Sequence, residues 1–202
     1  MNEHTELLVA TNNAGKVGEL SQLLSDFPLR LRLLGEFPDI EEAEETGETF
    51  AENATIKALY YSARTGLLTL SDDSGLAVDA LDGAPGVYSA RYAGREATYA
   101  ERMSKLLGEL EATGDAERRA RFVCVIAVAD PTANTLHTFE GECRGRIAHA
   151  PRGTGGFGYD PLFIPDGYDK TFGELPAEVK HTLSHRARAL RQAARHFRER
   201  YT

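Results

Sequence analysis

The chain has 202 residues and a formal net charge of −8. Its length suits one domain, residues 1–202, or one domain with a lobe, and buries roughly 70% of the unfolded surface, enough for a core without staples. The acidic balance argues against a general nucleic-acid binder, and a chain of this charge that handles phosphates needs local Lys or Arg, or a divalent cation.

The start, Met1-Asn2-Glu3-His4-Thr5-Glu6, is acidic and precedes only a short apolar run. It does not read as a signal peptide, and no segment approaches membrane-spanning length, so a cytoplasmic protein with no membrane partner is expected. Leu7-Leu8-Val9-Ala10 reads as a buried strand, Thr11 to Gly15 as a turn, and the residues after it as a helix with Val17, Leu20 and Leu24 on one face. Leu29, Leu31 and Leu33 alternate with Arg30, Arg32 and Leu34, as in a half-exposed strand. An acid-rich loop, Glu41 to Gly47, follows. Thr49-Phe50-Ala51-Glu52 is a capping box that opens a helix ending near Gly66.

The apolar run Leu67-Leu68-Thr69-Leu70 stops at Asp72-Asp73. Ser74-Gly75 reads as a turn, with another strand from Leu76 to Leu81 and a Gly/Pro loop beyond it. Thr98-Tyr99-Ala100-Glu101 is a second capping box, and Tyr99, Met103, Leu106 and Leu110 form a core-facing stripe. Phe122 to Ala129 is a Val- and Ile-rich strand. Asp130 to Asn134 is a turn, and Thr135 to Arg146 alternates as the hairpin partner. Cys124 and Cys143 lack C-x-x-C spacing and read as small buried side chains. A glycine-rich loop spans Gly153 to Gly158. The last helix sets Leu183, Ala187, Leu190, Ala194 and Phe197 on one face and a solvated Arg-rich face opposite. Strands drawn from distant parts of the chain imply a mixed α/β sheet.

Four groups of residues can carry chemistry. Thr11-Asn12-Asn13-Ala14-Gly15-Lys16 lies between a strand and a helix, where backbone N–H groups and the helix dipole face an anion. It lacks P-loop spacing, and an ordinary turn with an exposed lysine is the alternative. Asn53 and Lys57 are i,i+4 neighbours on one helix face, the alternative being a plain polar face. Asp72 and Asp73 repel each other, so a metal ion or a basic side chain is expected beside them. Strand alternation points them opposite ways. With Glu44 or Glu45 they offer the hard oxygens that suit Mg²⁺, unless the glutamates are merely an exposed loop. Phe157-Gly158-Tyr159-Asp160 combines close backbone approach with an aromatic face for a base. Ser184 is a candidate N-cap that places His185 and Arg186 in the first turn of the last helix.

Taken together, Ser71-Asp72-Asp73-Ser74-Gly75-Leu76, Gly83 to Tyr92, Phe157-Gly158-Tyr159-Asp160-Pro161 and Ser184-His185-Arg186, behind Thr11 to Lys16, resemble the non-canonical purine NTP pyrophosphatases, the inosine/xanthosine triphosphatase family. The resemblance runs from Leu7 to Leu190. It implies an elongated mixed β-sheet with flanking helices, in two lobes around a central nucleotide cleft. It implies a homodimer and Mg²⁺-dependent hydrolysis of ITP, dITP or XTP to NMP and pyrophosphate. By motif position, Thr11, Asn12, Asn13, Ala14, Gly15, Lys16 and Lys57 would hold the triphosphate. Glu44 and Asp73 would bind the metal, with Asp73 also the base, and Ser74 would touch the substrate. Phe157, Gly158, Tyr159, Asp160, Lys180, His185 and Arg186 would line the base and sugar pocket, Arg186 reading a keto oxygen. Position 12 is Asn where many relatives carry Gly, a change that a left-handed turn tolerates. Two other readings are a related house-cleaning pyrophosphatase for other modified nucleotides, and a nucleotide-sensing module that binds without turnover.

Overall fold

The computed structural model of the protein describes residues 5–25 and 27–201. The acidic start, Met1 to His4, lies outside them. The elements run β1 Thr5–Val9, α1 Ala14–Leu24, β2 Leu29–Leu33, α2 Phe50–Thr65, β3 Leu68–Val78, α3 Tyr99–Thr113, β4 Arg119–Asp130, β5 Thr135–Ile147, β6 Phe163–Pro165, α4 Ala177–Leu183 and α5 His185–Tyr201. The strands form one six-stranded sheet in the order β2-β1-β3-β4-β5-β6. β1 is parallel to both β2 and β3, whereas β5 and β6 are antiparallel, so the sheet is mixed as expected. No helix among the described residues is long and apolar enough to cross a membrane.

Both capping boxes form. Thr49 caps α2 and Thr98 caps α3, each hydroxyl accepting from the N3 backbone while Glu52 or Glu101 reaches back. Each such cap is worth about 1 kcal/mol. Gly66 and Gly114 close the two helices in the left-handed conformation that a Cβ disfavours.

The chain divides into two compact units. One gathers the residues up to Asp73, Cys124–Gly141 and the residues from Arg186 onward. Within it, strand alternation sorts side chains to two faces. Val9, Leu68, Leu70, Cys124, Ile126 and Val128 pack with Leu20 and Leu24 of α1 and with Ala189, Leu190, Ala193 and Phe197 of α5. Val125, Ala127 and Ala129 take the other face, against Ala54 and Ala58 of α2. Each fully buried Leu contributes roughly 1.5–3 kcal/mol. The expected apolar face of the last helix is largely met. Ala193 is the buried residue where Ala194 was expected, and Ala194 is half-buried: i+3 and i+4 from Leu190 share one face, and the stripe turned inward runs through Arg186, Ala189, Leu190, Ala193 and Phe197. Arg188, Arg191, Arg195 and Arg198 are exposed, as the charge pattern indicated.

The other unit comprises Ser74–Val123 and Glu142–His185. Met103, Leu106 and Leu110 of α3 pack with Leu76, Val78, Phe122, Cys143, Ile147, Phe163 and Phe172. Gly145 on β5 faces β6 so closely that a Cβ there would lie 2.2 Å from the Ile164 carbonyl oxygen. Cys124 and Cys143 are both free and buried.

A further expectation fails. Ser74-Gly75 is no turn, and no new strand starts at Leu76. β3 runs unbroken from Leu68 to Val78, and residues 79–81 form a 3-10 turn instead. A polar run reads as a break in a hydrophobic pattern, but here neighbouring side chains neutralise it. The pairing of β3 with β1 ends at Val9↔Leu70, followed by a bond from the Ala10 N–H to the Leu70 carbonyl. Asp72 and Asp73 therefore lie on a strand just past the end of its parallel neighbour.

Candidate active site

Alternation along β3 decides what each acid meets. Leu68 and Leu70 face α1 and α5, so Asp72 faces them too. Asp72 is fully buried, with its Oδ2 3.2 Å from Lys16 Nζ and accepting from Arg186 Nε and Nη2, each at 3.2 Å. Arg186 Nη1 also donates to Glu19 of α1. The Cys124 thiol lies 3.9 Å from the same Asp72 oxygen. Burial would raise the Asp72 pKa, but Lys16 and Arg186 outweigh it and hold the carboxyl well below the usual range. Arg186 answers in kind: burial opposes its charge, and Asp72 and Glu19 more than restore it.

Asp73 points to the α2 side. Its Oδ2 accepts from Asn53 Nδ2 at 3.3 Å, and its Oδ1 lies 3.4 Å from Lys57 Nζ. Asn53 and Lys57 do share a helix face, and that face is turned inward, with Asn53 fully buried. Here burial wins. The Asp73 carboxyl is pushed above the ordinary carboxylate value, although Lys57 and Lys16 pull the other way. Lys57 is the reverse case, with burial opposed by Asp73 and Glu45, whose charges hold the ammonium above its usual value.

The acid-rich loop reaches this cluster through Gly47. Its N–H donates to Asn53 Oδ1 at 2.8 Å, and a Cβ there would stand 2.6 Å from Glu52 Cβ. This docking brings Glu45 to 2.6 Å from Lys57 Nζ. Glu44, named with Asp73 as a metal ligand, is exposed instead. Successive residues of an extended loop point opposite ways, and Glu45 holds the inward place. Carboxylate oxygens from Asp73 and Glu45 around one shared cation are a donor set that fits a hard divalent ion. Among the described residues no group of three or more His, Cys, Asp or Glu gathers to hold a metal.

The turn from Thr11 to Lys16 has the expected strand-turn-helix form. Asn13 caps α1, its side chain accepting from the Lys16 N–H at 3.2 Å, and Thr11 Oγ1 accepts from the Asn13 N–H. Asn12, Asn13 and Ala14 are exposed, Thr11 and Gly15 half-buried, and the first turn holds no acid. Asn12 is not left-handed, so this turn does not call for a glycine.

In the other unit, Asp160 is the hub. Its Oδ2 accepts from Lys180 Nζ at 2.5 Å and from the Phe157 N–H at 2.7 Å, and the Lys180 ammonium stands 4.4 Å from the centre of the Phe157 ring. Phe157 and Gly158 are half-buried. Tyr159 belongs to the core, its hydroxyl donating to the Ser89 carbonyl and its ring edge-on to Tyr99. His185 stacks on Phe122 at 4.8 Å. Ser74 is half-buried on β3. Gly156 makes the hub possible: a Cβ there would sit 2.0 Å from Asp160 Oδ2, at a φ of +68°. Gly158 shares that φ, but its Cβ would make only ordinary contact with Tyr99 at 3.5 Å. Gly156→Ala is therefore expected to cost more than Gly158→Ala, whose strain alone is about 1–3 kcal/mol. Urea unfolding of the two variants checks this, and equal losses would mean that Asp160 has room to move.

The sequence reading missed Glu19 and the pairing of Arg186. Lys16 and Glu19 are i,i+3 on one helix, a spacing that marks a shared face. The Arg186 fork, expected to meet a keto oxygen, instead grips Asp72 and Glu19 and is 1% exposed.

A family model for the Ham1 family matches residues 7–196. The chain is 52% identical to the dITP/XTP pyrophosphatase of Desulforamulus reducens, over 93% of each chain. It is equally identical to the enzyme of that name from Geobacter sulfurreducens, over 92% of this chain and 93% of the relative. Among solved structures, a HAM1 protein from Coxiella burnetii superposes with a TM-score of 0.89 at 43% identity, covering 96% of this chain and 99% of the other. The Ham1 protein of Staphylococcus aureus gives 0.87 at 37% identity with the same coverage.

Proposed function

The chain belongs to the Ham1 family, and from that premise we propose that it is a nucleoside triphosphate pyrophosphatase that clears dITP, XTP and ITP from the nucleotide pool. The products are the nucleoside monophosphate and pyrophosphate. The observation that carries this reading is Asp73: a buried carboxylate with a raised pKa, held between Asn53 and Lys57.

A base must sit where its proton affinity is raised yet its orientation is fixed. Burial raises the affinity of Asp73, and the Asn53 amide fixes one oxygen. Asp73 then accepts a proton from the attacking water. Lys57 and Lys16 offset the roughly four negative charges of a triphosphate, the main electrostatic demand of this chemistry. Asp73 and Glu45 would hold Mg²⁺, which would supply further neutralisation of the phosphates when bound. Lys16 is already paired with Asp72, so a phosphate there shares the ammonium with that carboxylate. No Ser or Cys is given a nucleophile's role, since direct attack by water suffices. In the other unit Phe157, with Lys180 and Asp160 beside it, offers an aromatic face of the kind on which a purine stacks. The enzyme would work in the cytoplasm as a homodimer.

Product analysis with and without Mg²⁺ tests the proposal. ITP, dITP and XTP should yield NMP and pyrophosphate, ATP should be poorly used, and excess EDTA should abolish turnover. Orthophosphate with NDP as first products would overturn attack at the α-phosphorus. Tight nucleotide binding without turnover would favour the sensing module, and preferential cleavage of modified pyrimidines the related pyrophosphatase.

A further inference from the structure

We propose that His137 and His196 form a binding site for a borderline transition-metal ion of the Zn²⁺ or Ni²⁺ class, separate from the carboxylate site. His137 lies on β5 and His196 on α5, both in the same compact unit, with ring centroids 4.2 Å apart and planes at 44°. Packing alone does not explain the pair. His137 Nε2 is buried and has no hydrogen-bond partner among the described residues, and the same holds for Thr135 Oγ1. Thr135 and His137 are i,i+2 on β5 and so share its face. Two buried polar atoms without partners thus fall on the strand face where a second imidazole arrives, and such atoms mark a place for a water or an ion. Phe139 lies 5.6 Å from the His196 ring on the same side, which lowers the local dielectric.

Imidazole nitrogen decides the class of ion. Zn²⁺, Ni²⁺ and Cu²⁺ take neutral imidazole, whereas Mg²⁺ takes oxygen. The described residues offer two imidazole ligands, and water would complete the shell. It would tie α5 to β5 at a second point, beside the bond from Gln192 Nε2 to the Glu140 carbonyl at 2.6 Å. Both cysteines are buried, so they do not compete for added metal in the folded chain.

The test titrates Zn²⁺, and separately Mg²⁺, into chelator-stripped full-length protein by calorimetry. His196→Phe keeps an aromatic ring at the contact and is the primary variant; His137→Phe is the second. Beyond any Zn²⁺ held by the carboxylate site, wild type is expected to bind one further Zn²⁺ that either variant binds at least ~10-fold more weakly, while Mg²⁺ binding is the same in all three. Wild-type Zn²⁺ affinity and stoichiometry in a folded His196→Phe would overturn the site, as would failure of wild type to bind Zn²⁺, which would leave a water alone beside His137.

Discussion

Asp73→Asn is expected to lower kcat by at least ~100-fold while the melting temperature holds or rises. The loss of rate follows if Asp73 is the general base proposed above, a contribution typically of about 10²–10⁴. The stability half follows from the sign of the pKa shift. Burial raises the folded-state pKa of Asp73, so the native state binds its proton more tightly than the unfolded chain does. A raised pKa contributes stability that is present below the unfolded value and lost as pH rises through the folded one. At neutral pH the charged form is therefore a burden, and an amide of the same shape relieves it. Activity has the opposite pH sense: only the deprotonated carboxylate can accept a proton, so kcat/KM should fall as pH drops through the raised Asp73 pKa. Steady-state kinetics and thermal unfolding on the same preparation check both halves. If Asp73→Asn keeps more than a tenth of wild-type kcat, Asp73 is not the base.

Asp72→Ala should do the reverse and unfold the protein early. Asp72 is fully buried between Lys16 and Arg186. Removing one partner of a buried ion pair leaves the other charge uncompensated, at a cost of about 3–5 kcal/mol. For a domain of this size that is a fall of about 6–20 °C in Tm. Its folded pKa is depressed, so its contribution is present above the unfolded pKa and fades as pH falls through the folded one. The wild-type advantage over Asp72→Ala should therefore shrink in acid. A Tm within about 2 °C of wild type at pH 7 would show that Glu19 and solvent already satisfy Arg186 and Lys16. Two neighbours of identical chemistry are thus expected to fail in different ways, one in rate and one in stability.

The sequence by itself determined whatever rests on local chemistry. Both capping boxes, the end of α2 near Gly66, the strand-turn-helix at Thr11 to Lys16 and the i,i+4 face of Asn53 and Lys57 could be read because each depends on residues within one or two turns of one another. Alternation likewise sent Asp72 and Asp73 opposite ways, and their mutual repulsion announced cations nearby. Which cations came from where was decided only by tertiary structure. Arg186 lies 114 residues from Asp72 along the chain and arrives on α5, and no local pattern encodes that meeting. The same holds for the meeting of Glu45 with Lys57, which depends on Gly47 docking the loop against Asn53. It holds for β3 as well: its acids read as a break in the strand until Lys16, Lys57 and Arg186 are brought to neutralise them. Secondary structure follows from neighbours in sequence, but the charge of a buried carboxylate is set by whatever the fold places within a few ångströms of it.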